Sequence, residues 1–197
     1  IYYNQGNEIP GKQDILYKKP FTMNATGQIN AIAYKAGNIP SFIVNKRIHF
    51  TKAKKIEYKH PPHENYTGAN DLALMDGKYG MPNTLMKGRY IAPRGYEKHW
   101  IGFLGDDMEA TIELAEPIDI QEVMLRTTAD AFWNVFLPEK VKLMVSQEGK
   151  NYTQVFSEEY DPIQSWWHIE NIKMPVNKEQ IKYLRINADN IGTKPTQ

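Results

Sequence analysis

The chain has 197 residues, of which 24 are Lys or Arg and 23 are Asp or Glu, so its formal net charge is +1. This balance argues against nucleic acid as a partner, because such binding needs a clustered positive field. The absence of Cys excludes disulfides, thiolate metal sites and cysteine nucleophiles. No apolar run approaches the roughly 20 residues of a membrane-spanning helix, so membrane insertion is not expected.

The first 50 residues predict short antiparallel strands. The chain opens on Ile1-Tyr2-Tyr3, which is typical of the middle of a strand, and no initiator Met precedes it, so we expect a fragment of a longer protein. Two further strands are predicted at residues 28–34 and 41–45, with a Gly- and Pro-containing turn between them. A domain boundary is predicted near Phe50. One more short segment follows it, and then a long turn-rich stretch.

The remainder of the chain also predicts strands. Apolar and polar residues alternate over residues 108–114, 141–145 and 183–187, which is the pattern of strands with one wet face. Residues 146–150 (SQEGK) predict a turn after the second of these strands. Short strands separated by turns are typical of antiparallel sandwiches, so the fold class is predicted to be all-β.

The sequence contains no pattern typical of an active site. His60 and His63 are separated by two prolines, which favour an extended segment, and no second ligand pair follows at zinc-like spacing. There is no nucleophile elbow and no phosphate-binding glycine loop. We therefore predict a non-catalytic chain, with a metal hydrolase based on the two histidines as a third hypothesis.

Trp133 lies in a polar stretch, residues 127–134, between two predicted strands. An aromatic face on a loop can stack on a pyranose ring, while charged and amide side chains hydrogen-bond the hydroxyls. Asp130, Asn134 and Arg126 are the polar candidates beside it. The stretch thus predicts sugar contact, and core packing of the tryptophan is the alternative.

The first stretch of the chain keeps a pattern of aromatic, proline and glycine positions. They are Tyr2, Tyr3, Pro10, Leu16, Tyr17, Pro20, Phe21, Gly27, Ile29, Ala31, Ala33 and Gly37. By this pattern residues 1–50 resemble the small β-sandwich appended to chitobiases and related bacterial glycosidases, although Asn4-Gln5-Gly6 departs from the family's turn. The resemblance implies an immunoglobulin- or fibronectin-like sandwich that is truncated at its N-terminus.

A second set of motifs covers the rest of the chain. It comprises LMDG at 74–77, WIGFLG at 100–105, EATIEL at 109–114, residues 133–138 with Val141, and YLRI at 183–186. By these motifs residues 51–197 resemble a coagulation-factor type C domain, a discoidin-like, galactose-binding jelly roll. The two modules in this order resemble the C-terminal region of a Bacteroides-type secreted glycosidase, first a chitobiase or β-hexosaminidase and second an α-fucosidase.

Domains of this type often hold a structural calcium, and the resemblance implies a site in this chain. Its ligands would be the carboxylate of Asp76 and main-chain carbonyls near Ala73 and Lys78. Calcium prefers six to eight oxygen ligands, so one carboxylate is not a site, and the alternative is that Asp76-Gly77 only forms a turn. In the family an acidic residue on the last strand closes the site, and by this resemblance the sequence stops at Gln197, before that strand.

The first hypothesis is therefore a non-catalytic carbohydrate-binding module that targets an attached glycoside hydrolase to galactose- or N-acetylhexosamine-containing glycans. Trp133 is expected to stack on the sugar, with Tyr96 and Trp100 as further contacts, although Trp100 opens the strand-like run WIGF and core packing is its alternative. The expected partners are a glycan and the catalytic domain of the parent chain. The expected location is secreted, periplasmic or on the outer-membrane surface of a bacterium.

The rival hypothesis is a structural spacer or protein-interaction module that packs on the catalytic domain without binding sugar. The two hypotheses differ in Trp133: an exposed ring in a concave surface favours sugar binding, and a ring buried under its own loop favours the spacer.

Overall fold

The computed structural model describes residues 1–6, 8–23, 25–80, 84–86, 89–91, 99–130, 134–162 and 168–192. The chain divides into two compact units, Ile1–Thr51 and Lys52–Gln197. The described elements are antiparallel strands and one short 3₁₀ helix, so the all-β prediction is confirmed. Within the described ranges no helix combines the length and the apolar character needed to cross a bilayer. The identities of the two units as the two resembled modules stay predictions.

The first unit is a four-stranded antiparallel sheet. Its strands are β1 (Tyr2–Gln5), β2 (Ile15–Leu16), β3 (Gly27–Ile32) and β4 (Val44–Ile48), in the order β2-β1-β3-β4. The strand predicted at 41–45 was placed too early. Ser41 and Ala33 exchange two hydrogen bonds, from the N–H of Ser41 to the C=O of Ala33 at 3.0 Å and from the N–H of Ala33 to Oγ of Ser41 at 2.9 Å. These local bonds hold the chain in a turn, so that β4 begins only at Val44.

A buried asparagine fixes the loop that follows β1. Asn30 on β3 is 3% exposed, and its Nδ2 donates to the C=O of Gly6 at 2.8 Å and of Glu8 at 2.9 Å. Its Oδ1 accepts hydrogen bonds from the side-chain amides of Gln28 and Asn45. The side chain therefore pairs each of its polar atoms inside the unit, as a buried amide must.

The second unit contains a larger antiparallel sheet of five strands. They are β5 (Ala53–Tyr58), β8 (Met108–Ala129), β9 (Lys140–Ser146), β10 (Thr153–Glu159) and β11 (His168–Asp189), in the order β10-β9-β11-β8-β5. A separate hairpin is formed by β6 (Thr84–Met86) and β7 (Arg89–Ile91). Strands β8 and β11 are each 22 residues long and pair with each other from end to end, with register shifts near their middles.

The core of this unit follows from strand alternation. Ala110, Ile112 and Leu114 on β8 are at most 1% exposed, while the residues between them face the opposite side of the sheet. The far halves of the two long strands contribute Leu125 and Met174 to the same apolar cluster. Burial of a Leu, Ile or Met side chain contributes about 1.5–3 kcal/mol to the free energy of folding. The cluster therefore stabilises the two long strands, from whose ends the loops extend.

Candidate functional site

Asp76 lies in the loop after β5, and hydrogen bonds from polar side chains of this loop fix the loop's conformation. Oδ2 of Asp76 accepts a hydrogen bond from Nδ2 of Asn70 at 2.9 Å, and Oδ1 accepts one from the main-chain N–H of Lys78 at 2.9 Å. Oδ1 of Asn70 accepts one from the N–H of Leu72 at 2.9 Å, next to the 3₁₀ helix Ala73–Met75. Asp76 is thus a structural carboxylate that fixes the loop through short-range bonds.

The contacts of Asp76 do not fit a calcium shell. Both of its carboxylate oxygens accept protein hydrogen bonds, and the Nζ of Lys78, a positive charge, lies 3.8 Å from Oδ2. Calcium takes six to eight oxygens, and no group of three or more His, Cys, Asp or Glu is placed to hold a metal in the part of the chain that the structure describes. Ligation by Asp76, Ala73 and Lys78 is implied by the resemblance alone, and these contacts of Asp76 argue against it.

The histidines behind the metal-hydrolase hypothesis contact other protein groups. Nδ1 of His60 lies 3.8 Å from Oδ1 of Asp106, which lies just before β8. Nδ1 of His63 accepts a hydrogen bond from the N–H of Asn65 at 3.3 Å. The contact of His63 is therefore within its own loop, whereas that of His60 is to a different segment of the chain.

Trp100 packs against the loop that carries Asp76. A Cβ placed on Gly80 would overlap the indole of Trp100, so the half-buried ring lies directly on the Gly80 backbone. The C=O of Trp100 accepts a hydrogen bond from the N–H of Gly68 at 3.2 Å. Gly68 has φ +77°, and a Cβ there would lie 2.6 Å from Cβ of Ala73, so only glycine fits. These contacts give Trp100 a packing role, and its contact with sugar stays a prediction.

Tyr79 and Arg126 form a contact between the segment after Asp76 and strand β8. Tyr79 follows the Asp76 loop and is 53% exposed, and the guanidinium of Arg126 lies over its ring, 5.1 Å from the centroid. Arg126 on β8 faces Asn171 on β11 across the ladder, and its Nη1 donates to Oδ1 of Asn171 at 3.3 Å. Nε of Arg126 is buried and, among the described residues, has no hydrogen-bond partner. A cation and an amide are therefore held beside an exposed aromatic ring.

Two more predicted contacts, Asp130 and Asn134, lie at and just after the end of β8. Asp130 and Val135 exchange two main-chain hydrogen bonds, of 2.8 and 3.1 Å. Asn134 is exposed and has φ +56°, a conformation that Asn tolerates better than most residues. Asp130 is only 6% exposed. Asn134 is therefore open to a ligand, whereas Asp130 is buried.

Two of the predicted contacts, Trp133 and Tyr96, lie outside the described residues. The exposure of Trp133, which was to separate the sugar-binding hypothesis from the spacer hypothesis, is therefore not tested. The structure instead brings Arg126 together with Tyr79 and Asn171, which the sequence analysis missed. The available signal for Tyr79 was an aromatic residue two positions after Gly77 of the predicted Asp76-Gly77 turn. Nothing in the sequence pointed to Asn171, because its contact with Arg126 depends on the register between β8 and β11.

Comparisons with known proteins give limited similarity. No protein-family model matches the sequence, and no curated protein matches it. Among solved structures, the chain is similar to "CpGH89CBM32-4, produced by Clostridium perfringens, in complex with glcNAc-alpha-1,4-galactose". The sequence identity is 15% and the TM-score is 0.44, over 73% of this chain and 79% of that chain. These values are too low to indicate a function for this chain.

Proposed function

We propose that residues 52–197 form a non-catalytic carbohydrate-binding module. The observation that carries the proposal is the exposed ring of Tyr79 with the guanidinium of Arg126 held over it and the amide of Asn171 beside it. A sugar presents an apolar C–H face to a ring and hydroxyls to fixed donors and acceptors, and this group supplies both kinds of contact. Asn134, exposed on its turn, is a further polar contact in the proposal.

A site of this kind supports targeting better than catalysis. One aromatic ring and a few hydrogen bonds bind a single sugar weakly, because association itself costs several kcal/mol. A weak site is still useful when it is tethered, since it raises the effective concentration of an attached catalytic domain on the same glycan. From the family resemblance, we propose a secreted bacterial glycoside hydrolase as the parent, with galactose- or N-acetylhexosamine-containing glycans as the target.

The proposal is tested by NMR titration of the 197-residue chain with galactose, N-acetylgalactosamine, N-acetylglucosamine and chitobiose. We expect saturable shifts of residues 76–80, 126 and 171 with at least one sugar, and loss of these shifts in Tyr79→Ala. Tyr17→Ala is the matched control, because Tyr17 is a similarly exposed tyrosine of the other unit. No response to any of these sugars at millimolar concentration, from a chain with a folded spectrum, would support the structural spacer instead.

A further inference from the structure

A second candidate site lies on the outer face of the five-stranded sheet. It is an open groove of about 350 Å³, which is near the lower end of the range for ligand pockets, roughly 300–1,000 Å³. The residues that matter for its chemistry are Glu57, Lys59, Glu109, Tyr152, Tyr183 and Arg185. None of them belongs to the site at Tyr79 and Arg126.

Strand alternation and register create the floor of this groove. On β11, Leu184 is buried in the core, so Tyr183 and Arg185 lie on the opposite face of the sheet. Arg185 pairs with Thr111 on β8, and Thr111 pairs with Glu57 on β5. Three strands therefore present one row of polar side chains across the groove.

The turn between β9 and β10 forms one wall of the groove and orders its aromatic rings. Oγ of Ser146 accepts a hydrogen bond from the N–H of Gly149 at 2.9 Å, and Gly149 has φ +80°. A Cβ on Gly149 would lie 3.1 Å from the ring of Tyr183, so this ring rests against the turn. Tyr152 lies at the end of the turn. The guanidinium of Arg185 lies over the Tyr152 ring, 4.1 Å from the ring centroid.

The guanidinium of Arg185 is held in place but has no carboxylate partner among the described residues. Its Nε donates to Oγ1 of Thr111 at 3.3 Å, and it makes no ion pair with any residue in the described ranges. The acidic side chains nearby have other partners. Glu57 accepts from Nζ of Lys55 at 2.6 Å, and Glu109 lies 3.6 Å from Nζ of Lys59. The guanidinium therefore has donors left for a ligand.

The charges of the groove select the class of ligand. Among the lining residues, Lys59 and Arg185 carry two positive charges and Glu57 and Glu109 carry two negative ones, and Lys55, which pairs with Glu57, adds a positive charge beside the groove. Because both signs are present, the carboxylates repel an anionic ligand, and Lys59 and Arg185 repel a cationic one. A ligand with many hydroxyls can donate to the carboxylates and accept from Arg185 and Lys59, while its C–H groups contact the tyrosine rings.

We propose that this groove is a second carbohydrate-binding site, and that it binds internal units of a neutral oligosaccharide. Internal units are favoured because the groove is open to solvent, and an open groove does not require the end of a sugar chain. Binding at this groove does not depend on binding at Tyr79.

The test is NMR titration and calorimetry of the full chain with neutral oligosaccharides of one to six units, with chito- and galacto-oligosaccharides as the probes. We expect shifts at residues 149–152 and 183–185, and affinity that rises with length up to at least three units. Tyr152→Ala should weaken this binding at least tenfold, Tyr152→Phe should largely preserve it, and Tyr79→Ala should leave the groove shifts in place. Glu57→Gln should weaken it severalfold, whereas Glu159→Gln, an exposed glutamate on the other edge strand of the sheet, should not.

Three results would overturn the proposal. One is the absence of groove shifts with every neutral probe while Tyr152→Ala and the wild type are equally folded. Another is the loss of the groove shifts in Tyr79→Ala, which would mean that all sugar binding occurs at Tyr79. The third is tighter binding of uronic-acid oligosaccharides of the same lengths, which would mark Arg185 as an anion site.

Discussion

The guanidinium of Arg126 lies 5.1 Å above the ring centroid of Tyr79 and joins the loop after Asp76 to strand β8. A cation–π contact at an exposed site contributes about 0.5–1 kcal/mol, so it orients the two groups more than it stabilises the fold. The exposed part of the Tyr79 ring therefore lies beside the guanidinium of Arg126, whose Nε is buried.

Loss of the Asp76 carboxylate should destabilise its loop. In Asp76→Ala, Nδ2 of Asn70 and the N–H of Lys78 lose their acceptors, so we expect the free energy of unfolding to fall by about 1–3 kcal/mol. Urea denaturation measures this change. Asp71→Ala, on the same loop, is the control and should change stability by less than about 0.5 kcal/mol.

Calcium should have no effect on this loop. The ammonium of Lys78 lies near Asp76, and both carboxylate oxygens have protein donors, so we expect the same melting temperature in calcium and in chelator. Differential scanning calorimetry makes the comparison. A higher melting temperature in calcium that Asp76→Ala removes would establish the calcium site that the family resemblance predicts.

Much of the fold could be predicted because its signals are local. The alternation over residues 108–114 and 141–145 indicated which side chains are buried, and Ser146 and Gly149 supplied the predicted turn with a hydroxyl acceptor and a positive φ. The length of β8 was not predictable in this way. Pro117 would ordinarily end a strand, but it lies where the register of β8 and β11 shifts and no ladder donor is required.

The candidate site was less predictable for a physical reason. Tyr79 and Arg126 are far apart in the sequence, and their contact depends on how the Asp76 loop packs beside β8. The pattern of residue types around Asp130 and Asn134 indicated a polar loop, but it could not show that Asp130 is buried or that its main chain pairs with Val135.

Gly80 should not tolerate a side chain. A Cβ at this position overlaps the indole of Trp100, so Gly80→Ala must move the ring or the loop, and we expect a loss of about 1–3 kcal/mol in unfolding free energy. Gly27→Ala is the comparison, because the Cβ there meets the flexible end of Met23. Equal stability of Gly80→Ala and the wild type in urea would show that Trp100 does not pack there.

Tyr58 should make stability depend on alkaline pH. Burial raises the pKa of Tyr58 to about 12, above the ordinary value of 10. Because the pKa is higher in the folded state, the stabilisation is complete below pH 10 and is lost as the pH rises through 12.

Tyr58→Phe tests this dependence. Its hydroxyl is buried and has no hydrogen-bond partner among the described residues, so removal should leave stability at pH 7 unchanged or raise it by up to about 1 kcal/mol. Between pH 10 and 12 the variant should lose less stability than the wild type, as measured by urea denaturation at each pH. An identical pH dependence in the two proteins would contradict the assignment to Tyr58.

Asn30 should be essential to the first unit. Asn30→Ala removes the donor shared by the C=O groups of Gly6 and Glu8, and we expect a loss of about 1–3 kcal/mol. Hydrogen exchange at the amides of β1 and β3 measures this loss within the unit. Asn38→Ala, which removes one exposed hydrogen bond to Ala36, is the control, and equal effects of the two variants would argue against a special role for the buried amide.

The most direct measurement of the central claim is calorimetric titration of the wild type, Tyr79→Ala and Arg126→Lys with the sugar that gives the largest NMR shifts. We predict saturable binding to the wild type, at least tenfold weaker binding to Tyr79→Ala, and a smaller loss in Arg126→Lys, which keeps the charge but not the planar guanidinium. Unchanged affinity in a folded Tyr79→Ala, or no binding of any sugar to the wild type, would contradict a carbohydrate site at Tyr79 and Arg126.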